Sequence, residues 1–361
     1  MAVDPADRER ELTYLALLAP GTPLRAGFER ILRGRTGALV VLGDTAEVFD
    51  LCSGGFVLDV EYTPTALREL SKMDGGIVMT SDLSRIVRAG VQFVPDPQLE
   101  TVETGTRHRT ADRMSRQCGI PVATVSASMS TIALFIDGVR RPLETSEQIM
   151  TRANQAVQTL ERYRERLWQL TARLSALEVE DQVTIKDLAL VTQRLEMIRR
   201  LQQELSDYVV ELGTDGRLLN LQLHELGGGL DELRELLELD YRTGQSAAPG
   251  ADGVEFSVAP LAELSTSRLL EPLDVARAIG FANQHLDTRI SAQGFRQLAQ
   301  INRLPTAYIA RLIEHFGNLQ GIFAASTAEL QEVEGVGESR ARIIREGLTR
   351  LAESVYSEYL G

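Results

Sequence analysis

Lysine is almost missing from this sequence: Lys72 and Lys186 are the only two, so nearly all of the positive charge is arginine. Neither lysine stands in a Gly-x-x-x-x-Gly-Lys-Ser/Thr loop, which excludes a P-loop NTPase. Cysteine is as scarce. Cys52 and Cys118 have no metal-binding spacing and point to a reducing compartment. The four histidines are scattered and form no metal-ligand cluster. No apolar run is long enough to span a bilayer, and Met1 to Arg10 is polar, without the apolar core of a signal peptide. The expectation is a cytoplasmic protein with no membrane partner.

What is present fits an ordinary globular chain, with 43% apolar and 25% charged residues. Its 361 residues leave room for two or three domains. A net charge of −13 argues against wholesale electrostatic binding of nucleic acid. The charge is uneven along the chain. Residues 1–150 carry 16 basic and 20 acidic side chains, residues 151–289 carry 15 and 23, and residues 290–361 carry 7 and 8.

The first 145 residues read as α/β, a mixed central sheet flanked by helices. Helices are predicted over Glu11–Leu18 and Pro23–Arg33, with Pro23 at a helix start. The apolar run Ala38–Leu42 closes on Gly43-Asp44 and predicts a buried strand. Phe56–Val60, Gly76–Thr80, Gly90–Val94, Pro121–Val125 and Thr131–Ile136 complete the strands, and Thr63 is a candidate N-cap for a helix to Ser71. Asp137-Gly138 signals a hairpin. From Ser146 the pattern becomes helical. Leu160, Tyr163, Leu167, Leu170, Leu174 and Leu177 alternate spacings of three and four, and Leu188 to Leu212 repeats the pattern. A third helix is predicted over Leu218–Leu239, broken or kinked at Gly227-Gly228-Gly229. Thr243–Gly253 reads as a small-residue linker. Further helices are predicted over Asp274–Asn283, Ser291–Leu298, Pro305–Phe316 and Leu319–Ala325. The last is Leu330–Tyr359, interrupted at Gly335-Val336-Gly337. Three domains result: 1–145, an all-α spacer over 146–287, and an all-α end over 288–361.

Three short motifs in the first domain carry chemistry. Asp74-Gly75-Gly76 sits directly before a strand, where the glycines leave backbone N–H groups open to a phosphate and the carboxylate could hold a metal or take a proton; taken alone it is more often an ordinary turn. Gly105-Thr106-Arg107-His108-Arg109-Thr110 packs two guanidinium forks, an imidazole and two hydroxyls before a helix, a set suited to a triphosphate or, more blandly, a solvated helix start. Ser126-Ala127-Ser128-Met129 ends a strand, with hydroxyls able to reach a ribose or phosphate. Near the C-terminus, Leu330-x-x-Val333-Glu334-Gly335-Val336-Gly337-x-x-Arg340-Ala341-x-x-Ile344 resembles a helix-hairpin-helix, which binds DNA phosphates through exposed amides without reading sequence. Gly335, Val336, Gly337, Ser339, Arg340 and Arg345 are its candidate DNA contacts.

In combination and order, Asp-Gly-Gly, Gly-Thr-Arg-His-Arg-Thr-Ala and Ser-x-Ser-Met resemble the diadenylate cyclase family, and the helical middle with its terminal hairpin resembles that family's DNA integrity scanning branch. The resemblance implies condensation of two ATP to cyclic di-AMP and two pyrophosphates across facing subunits. The protein would be a homo-oligomer, at least a dimer, with an octamer expected. Asp74 would be the metal-linked acid, with Mg²⁺ or Mn²⁺, and Gly75 and Gly76 would let the nucleotide approach. Thr106, Arg107, His108, Arg109 and Thr110 would grip ATP together with Phe93, Ser126 and Ser128; Phe93 stands where the family commonly has Leu. Two departures stand out. Gly76 replaces the family's usual Ala, a loss of one methyl expected to loosen the turn, and Ser126-Ala127-Ser128 replaces the Ser-Glu-Glu of some relatives, so a second acidic metal ligand is not carried over. Branched DNA at the hairpins would lower synthesis. The rival reading is a non-catalytic DNA-binding scaffold whose nucleotide domain only senses ATP.

Overall fold

The structure, a computed structural model, describes residues 5–244, 254–302 and 304–358. The predicted linker falls, from residue 245 to 253, outside the described residues, as do Arg303 and Tyr359. Two compact units form: Met1–Gln155 with Leu205–Leu221, and Ala156–Glu204 with Gln222–Gly361.

In the first unit, α1 (Pro5–Leu17) and α2 (Pro23–Arg33) precede β1 (Ala38–Leu42). The Thr22 side chain accepts the Arg25 amide ahead of Pro23, so a capping hydroxyl and a preset φ start α2 together. Then come α3 (Ala46–Asp50), β2 (Cys52–Ser53), β3 (Phe56–Glu61), α4 (Pro64–Leu70), β4 (Gly76–Met79) and β5 (Arg85–Phe93). The unit continues through α5 (Thr106–Cys118), β6 (Val122–Ser126), β7 (Thr131–Ile136) and β8 (Val139–Leu143). The strand order is β2-β5-β4-β1-β6-β7-β8, with β3 also on β5. The β1–β4 pair is parallel and the others antiparallel, which makes the sheet mixed.

β1 shows why helices cover both faces. All five of its residues are buried. Ala38, Val40 and Leu42 join Phe28, Ile31 and Leu67 on one face, while Leu39 and Val41 join Ala111, Met114 and Phe135 on the other. Successive strand side chains point to opposite faces, so an unbroken apolar run needs a cover on each side. β5 is longer than the predicted Gly90–Val94 because its period is broken. Its pairing with β4 slips on either side of Ile77 and Val78, and its buried residues Ile86 and Ala89 stand three apart. A register slip hides a strand from a period-two reading.

The helical pattern from Ser146 resolves into α6 (Ser146–Val179) and α7 (Ile185–Leu212). Leu160, Leu167 and Leu174 are buried, as are Leu188, Val191, Leu195, Ile198, Leu205 and Leu212. Arg194 of α7 lies over the Tyr163 ring of α6, 4.7 Å from its centroid. The predicted third helix is two, α8 (Arg217–Gly227) and α9 (Leu230–Tyr241), parted at Gly229, whose φ is +78°.

Beyond the short ladder of β9 (Thr243–Gly244) and β10 (Val254–Glu255) lie α10 (Thr266–Leu269), α11 (Pro272–Ala278), α12 (Phe295–Ala299) and α13 (Thr306–Phe316). α14 (Leu319–Ala324), α15 (Thr327–Leu330) and α16 (Glu338–Glu358) complete the described residues. Three predicted helices are corrected. The one expected to reach Asn283 stops at Ala278, because Gly280 turns the chain at φ +114° while its amide bonds back to Arg277. The one expected from Ser291 starts at Phe295, after Gly294 at φ +116°. Residues 331–334, expected to be helical, belong to a turn that carries α15 into the glycine hairpin. The core of this end includes Leu298, Ile309, Leu312, Leu330, Val333, Val336, Ile344 and Leu348.

A polar knot lies in the same unit. The buried Asp240 carboxylate, at the end of α9, accepts the amides of Gly294, Phe295 and Arg296 at 2.6, 2.5 and 2.9 Å. Buried Glu178, at the end of α6, takes Arg296 Nη2 at 2.6 Å, the Tyr241 hydroxyl at 2.8 Å and Gln297 Nε2 at 2.7 Å. Burial and the neighbouring Glu178 push the Asp240 carboxyl up to about 7. Burial and a nearby negative charge both disfavour the ionised form of a carboxyl.

Candidate functional site

The three N-terminal motifs meet at one end of the sheet, and strand register brings them there. Val40 pairs with Ile77 in the parallel β1–β4 ladder, which sets Gly37 and Ala38 alongside Asp74, Gly75 and Gly76. On the other side of β1, Ala38 pairs with Val125, so Ser126 ends beside the same residues. Gly76 pairs with Val91 of β5, two residues before Phe93.

Asp74 is exposed at this end, its Oδ1 accepting the amide of Gly75 at 3.0 Å. Gly75 has φ +101°, and a Cβ there would lie 2.7 Å from the carbonyl carbon of Gly90. That position therefore needs glycine twice over, for its torsion and for the backbone beside it. Gly76 needs it for a different reason. A Cβ on Gly76 would lie 2.1 Å from Cε2 of the buried Phe93 ring. The expected loosening of the turn is corrected here: the space that a methyl would occupy is filled by the ring.

Gly105, at φ +83°, leads into α5 without a side-chain cap. The first amides of the helix thus lack intrahelical partners and carry the positive end of its dipole. The Arg107 guanidinium lies against Gly37, where a Cβ would meet Nη1 at 2.2 Å. Arg109 lines a different place, a cleft of about 490 Å³ between α5 and residues 97–102 that also includes Arg113 and Arg116. Positions i and i+2 of a helix do not share a face, so the two arginines do not close on one spot as a single fork pair would. Arg113 holds the cleft wall by donating to the carbonyls of Leu99 and Pro97 at 2.8 and 2.9 Å.

Thr106 is exposed and Thr110 half-buried, while His108 turns inward, 7% exposed, its ring 6.0 Å from that of Phe135. Burial, helped by Arg140 and Arg107 and opposed by Glu103, lowers the His108 pKa and favours neutral imidazole. Buried Ser126 has its Oγ 3.3 Å from the Ser128 hydroxyl and 3.4 Å from the Met129 amide, with Ser128 itself exposed. Sequence reasoning missed Gly37, whose missing side chain leaves room for the Arg107 guanidinium, and Gly90, whose backbone closes on Gly75.

The second site is the hairpin between α15 and α16. Gly335 has φ +81° and nothing lies within 4 Å of a Cβ built on Gly337. Val336 is buried and its amide bonds the Val333 carbonyl at 3.0 Å, so it anchors the hairpin from beneath. Among the described residues nothing accepts a hydrogen bond from the amides of Gly335 and Gly337, which flank it. Ser339 and Arg340 are exposed in the first turn of α16. Arg345 does not join them: its guanidinium donates to the carbonyls of Phe323 and Ala325 at 2.9 and 3.2 Å, closing the end of α14. Tyr308 and Arg311, which sequence reasoning did not single out, are brought against the hairpin by α13.

These two sites fall inside two of the family models that match the chain. Residues 25–140 match the DisA bacterial checkpoint controller nucleotide-binding region, 143–287 its linker region, and 318–347 the helix-hairpin-helix motif. A DNA integrity scanning protein DisA of Streptomyces coelicolor is 58% identical over 94% of this chain and 91% of its own. This chain belongs to the DisA family. The DisA of Streptomyces avermitilis is 57% identical over the same shares, and that of Frankia alni 54% over 98% of both chains. Of the two DisA sites, the nucleotide-binding one lies wholly in the first unit and the hairpin wholly in the second. Among the described residues no helix is long and apolar enough to cross a membrane, and no group of three His, Cys, Asp or Glu could hold a metal alone.

Proposed function

We propose that the protein is a diadenylate cyclase, condensing two ATP to cyclic di-AMP with release of two pyrophosphates. The observation that carries this reading is the convergence of an exposed Asp74, the side-chain-free Gly75-Gly76 turn, Ser126 and the uncapped start of α5 with Arg107 at one sheet end. For each bond formed, the 3′-oxygen of one ATP attacks the α-phosphorus of the other. The bond from that phosphorus to the bridging oxygen breaks, and Asp74 takes the 3′-proton. Such a transfer needs positioning and charge stabilisation more than a protein nucleophile, and the residues at this site are of that kind.

Asp74 fits Mg²⁺ or Mn²⁺ as a single carboxylate ligand, since these ions keep several waters and take phosphate oxygens for the rest. Bound there, the ion would offset charge on the phosphates. Thr106, Arg107, Arg109, Thr110 and Ser128 bind the nucleotide, and His108 orients the loop from inside. One such end holds one ATP, so two subunits must face each other; the protein works as a cytoplasmic homo-oligomer, an octamer made of four such pairs. The hairpin binds branched DNA without reading sequence, and that binding lowers synthesis.

Incubation with ATP and Mg²⁺ or Mn²⁺, followed by chromatography, tests the reaction directly. Cyclic di-AMP is the expected product. ATP binding without product would favour the sensor reading instead. Four-way junctions that bind and leave the rate unchanged would remove the regulatory coupling.

A further inference from the structure

At the hairpin, Tyr308 and Arg311 of α13 lie directly beneath Gly335: a Cβ there would come within 2.9 Å of Tyr308 Cε1 and 3.0 Å of Arg311 Nη1. Arg311 Nη1 donates to the Glu334 carbonyl at 3.0 Å, and Arg340 Nη1 donates to the Gly335 carbonyl at 2.7 Å. Both guanidinium groups also stand over the Tyr308 ring, at 5.6 and 4.2 Å from its centroid. One ring and two neighbouring carbonyls thus hold two arginines on either side of the turn.

We propose that Arg311 is a second phosphate ligand of the DNA-binding hairpin, acting beside Arg340, with Tyr308 as the positioning residue for both. This rests on the reading of the hairpin as a DNA site and names a residue that its motif does not contain. A guanidinium carries five N–H donors, and each of these arginines uses one nitrogen on a main-chain carbonyl. Both side chains are exposed, so the remaining donors face outward beside the free amides of Gly335 and Gly337. Neither forms an ion pair with a carboxylate among the described residues, so no internal acid competes with an anion for them. Stacking on the ring and bonding to the turn fix the forks before ligand arrives, so little freedom is lost on binding. A phosphodiester backbone is the anion that also matches the adjacent amides, because it presents phosphates in a row.

The test is the salt dependence of binding by the full-length protein to a plain duplex and to a four-way junction. Each phosphate contact adds about 0.9 to the slope of log affinity against log salt. Arg311→Ala is expected to lower that slope by about one and to weaken binding roughly tenfold at low salt, equally on different sequences. Arg311→Lys keeps the slope, because charge and not the fork sets it. Arg350→Ala removes an exposed charge elsewhere on α16 and keeps both slope and affinity. Tyr308→Phe binds as the unchanged protein does, while Tyr308→Leu weakens binding several-fold. Should Arg311→Ala match Arg350→Ala in slope, Arg311 makes no phosphate contact and the proposal fails, whatever its melting temperature. Should the unchanged protein bind neither DNA, the reading beneath it fails instead.

Discussion

Gly76 and Gly335 each lie against an aromatic ring, and the two rings are used in opposite ways. At the sheet end the Phe93 ring is buried, 8% exposed, and fills the space a methyl would take. At the hairpin the half-buried Tyr308 ring carries two guanidinium groups on its way to solvent. On the proposed function, the first arrangement would be a fixed wall for a ligand that must be enclosed and aligned. The second would be a charged rim for a ligand that only passes across it. Their supports differ too. An apolar sheet stands behind Gly76, whereas the segment leading into α12 is tied down by Asp240, Glu178 and Arg296.

The sharpest way to break this comparison is Asp74→Asn. If the sheet end is catalytic, the variant binds ATP and loses product formation by roughly 10²–10⁴-fold, the range for removing a group that moves a proton. Unchanged turnover in a chromatographic assay would strip Asp74 of its role. Next in size is Gly76→Ala, which forces a Cβ into the Phe93 ring. Overpacking of this kind costs about 1–3 kcal/mol. Phe93→Leu in the same chain should return most of the melting temperature and rate, a non-additivity that a merely exposed turn would not show. Gly335→Ala strains a left-handed residue by about 1–2 kcal/mol and presses on Tyr308, so DNA affinity should fall while ATP affinity holds.

The pH responses separate the supports. Asp240 has a carboxyl raised to about 7, above its unfolded value, so its contribution to stability is full at acid pH and is lost as pH rises from about 4 through 7. Asp240→Asn should flatten that slope in denaturant titrations at several pH values. The smallest effect belongs to His108. Its lowered pKa keeps it neutral at and above pH 7, so ATP affinity should not change between pH 7 and 8 through this group.

Local chemistry made much of the fold legible. β1 and β7 match their predicted bounds, the Thr63 hydroxyl accepts the Ala66 amide as a cap should, and the triple glycine parts α8 from α9. Each signal sits within a few residues of what it controls. Reading failed where distant contacts decide. Gly37 matters because the Arg107 side chain of α5 lies against it, and Arg311 matters because α13 reaches the hairpin, and neither neighbour is close in sequence. Arg345 shows the converse: a basic residue in a DNA-binding motif looks free in sequence, yet its Nη1 is already engaged by the end of α14.

The carboxylate of Asp240 bears on how the second unit would open. The leading amides of a helix ordinarily trade hydrogen with solvent soonest, having no carbonyl of their own helix to hold them. Those of Gly294, Phe295 and Arg296 are closed by a buried carboxyl group, so a helix of five residues should be slow to exchange at the end where helices are usually quick.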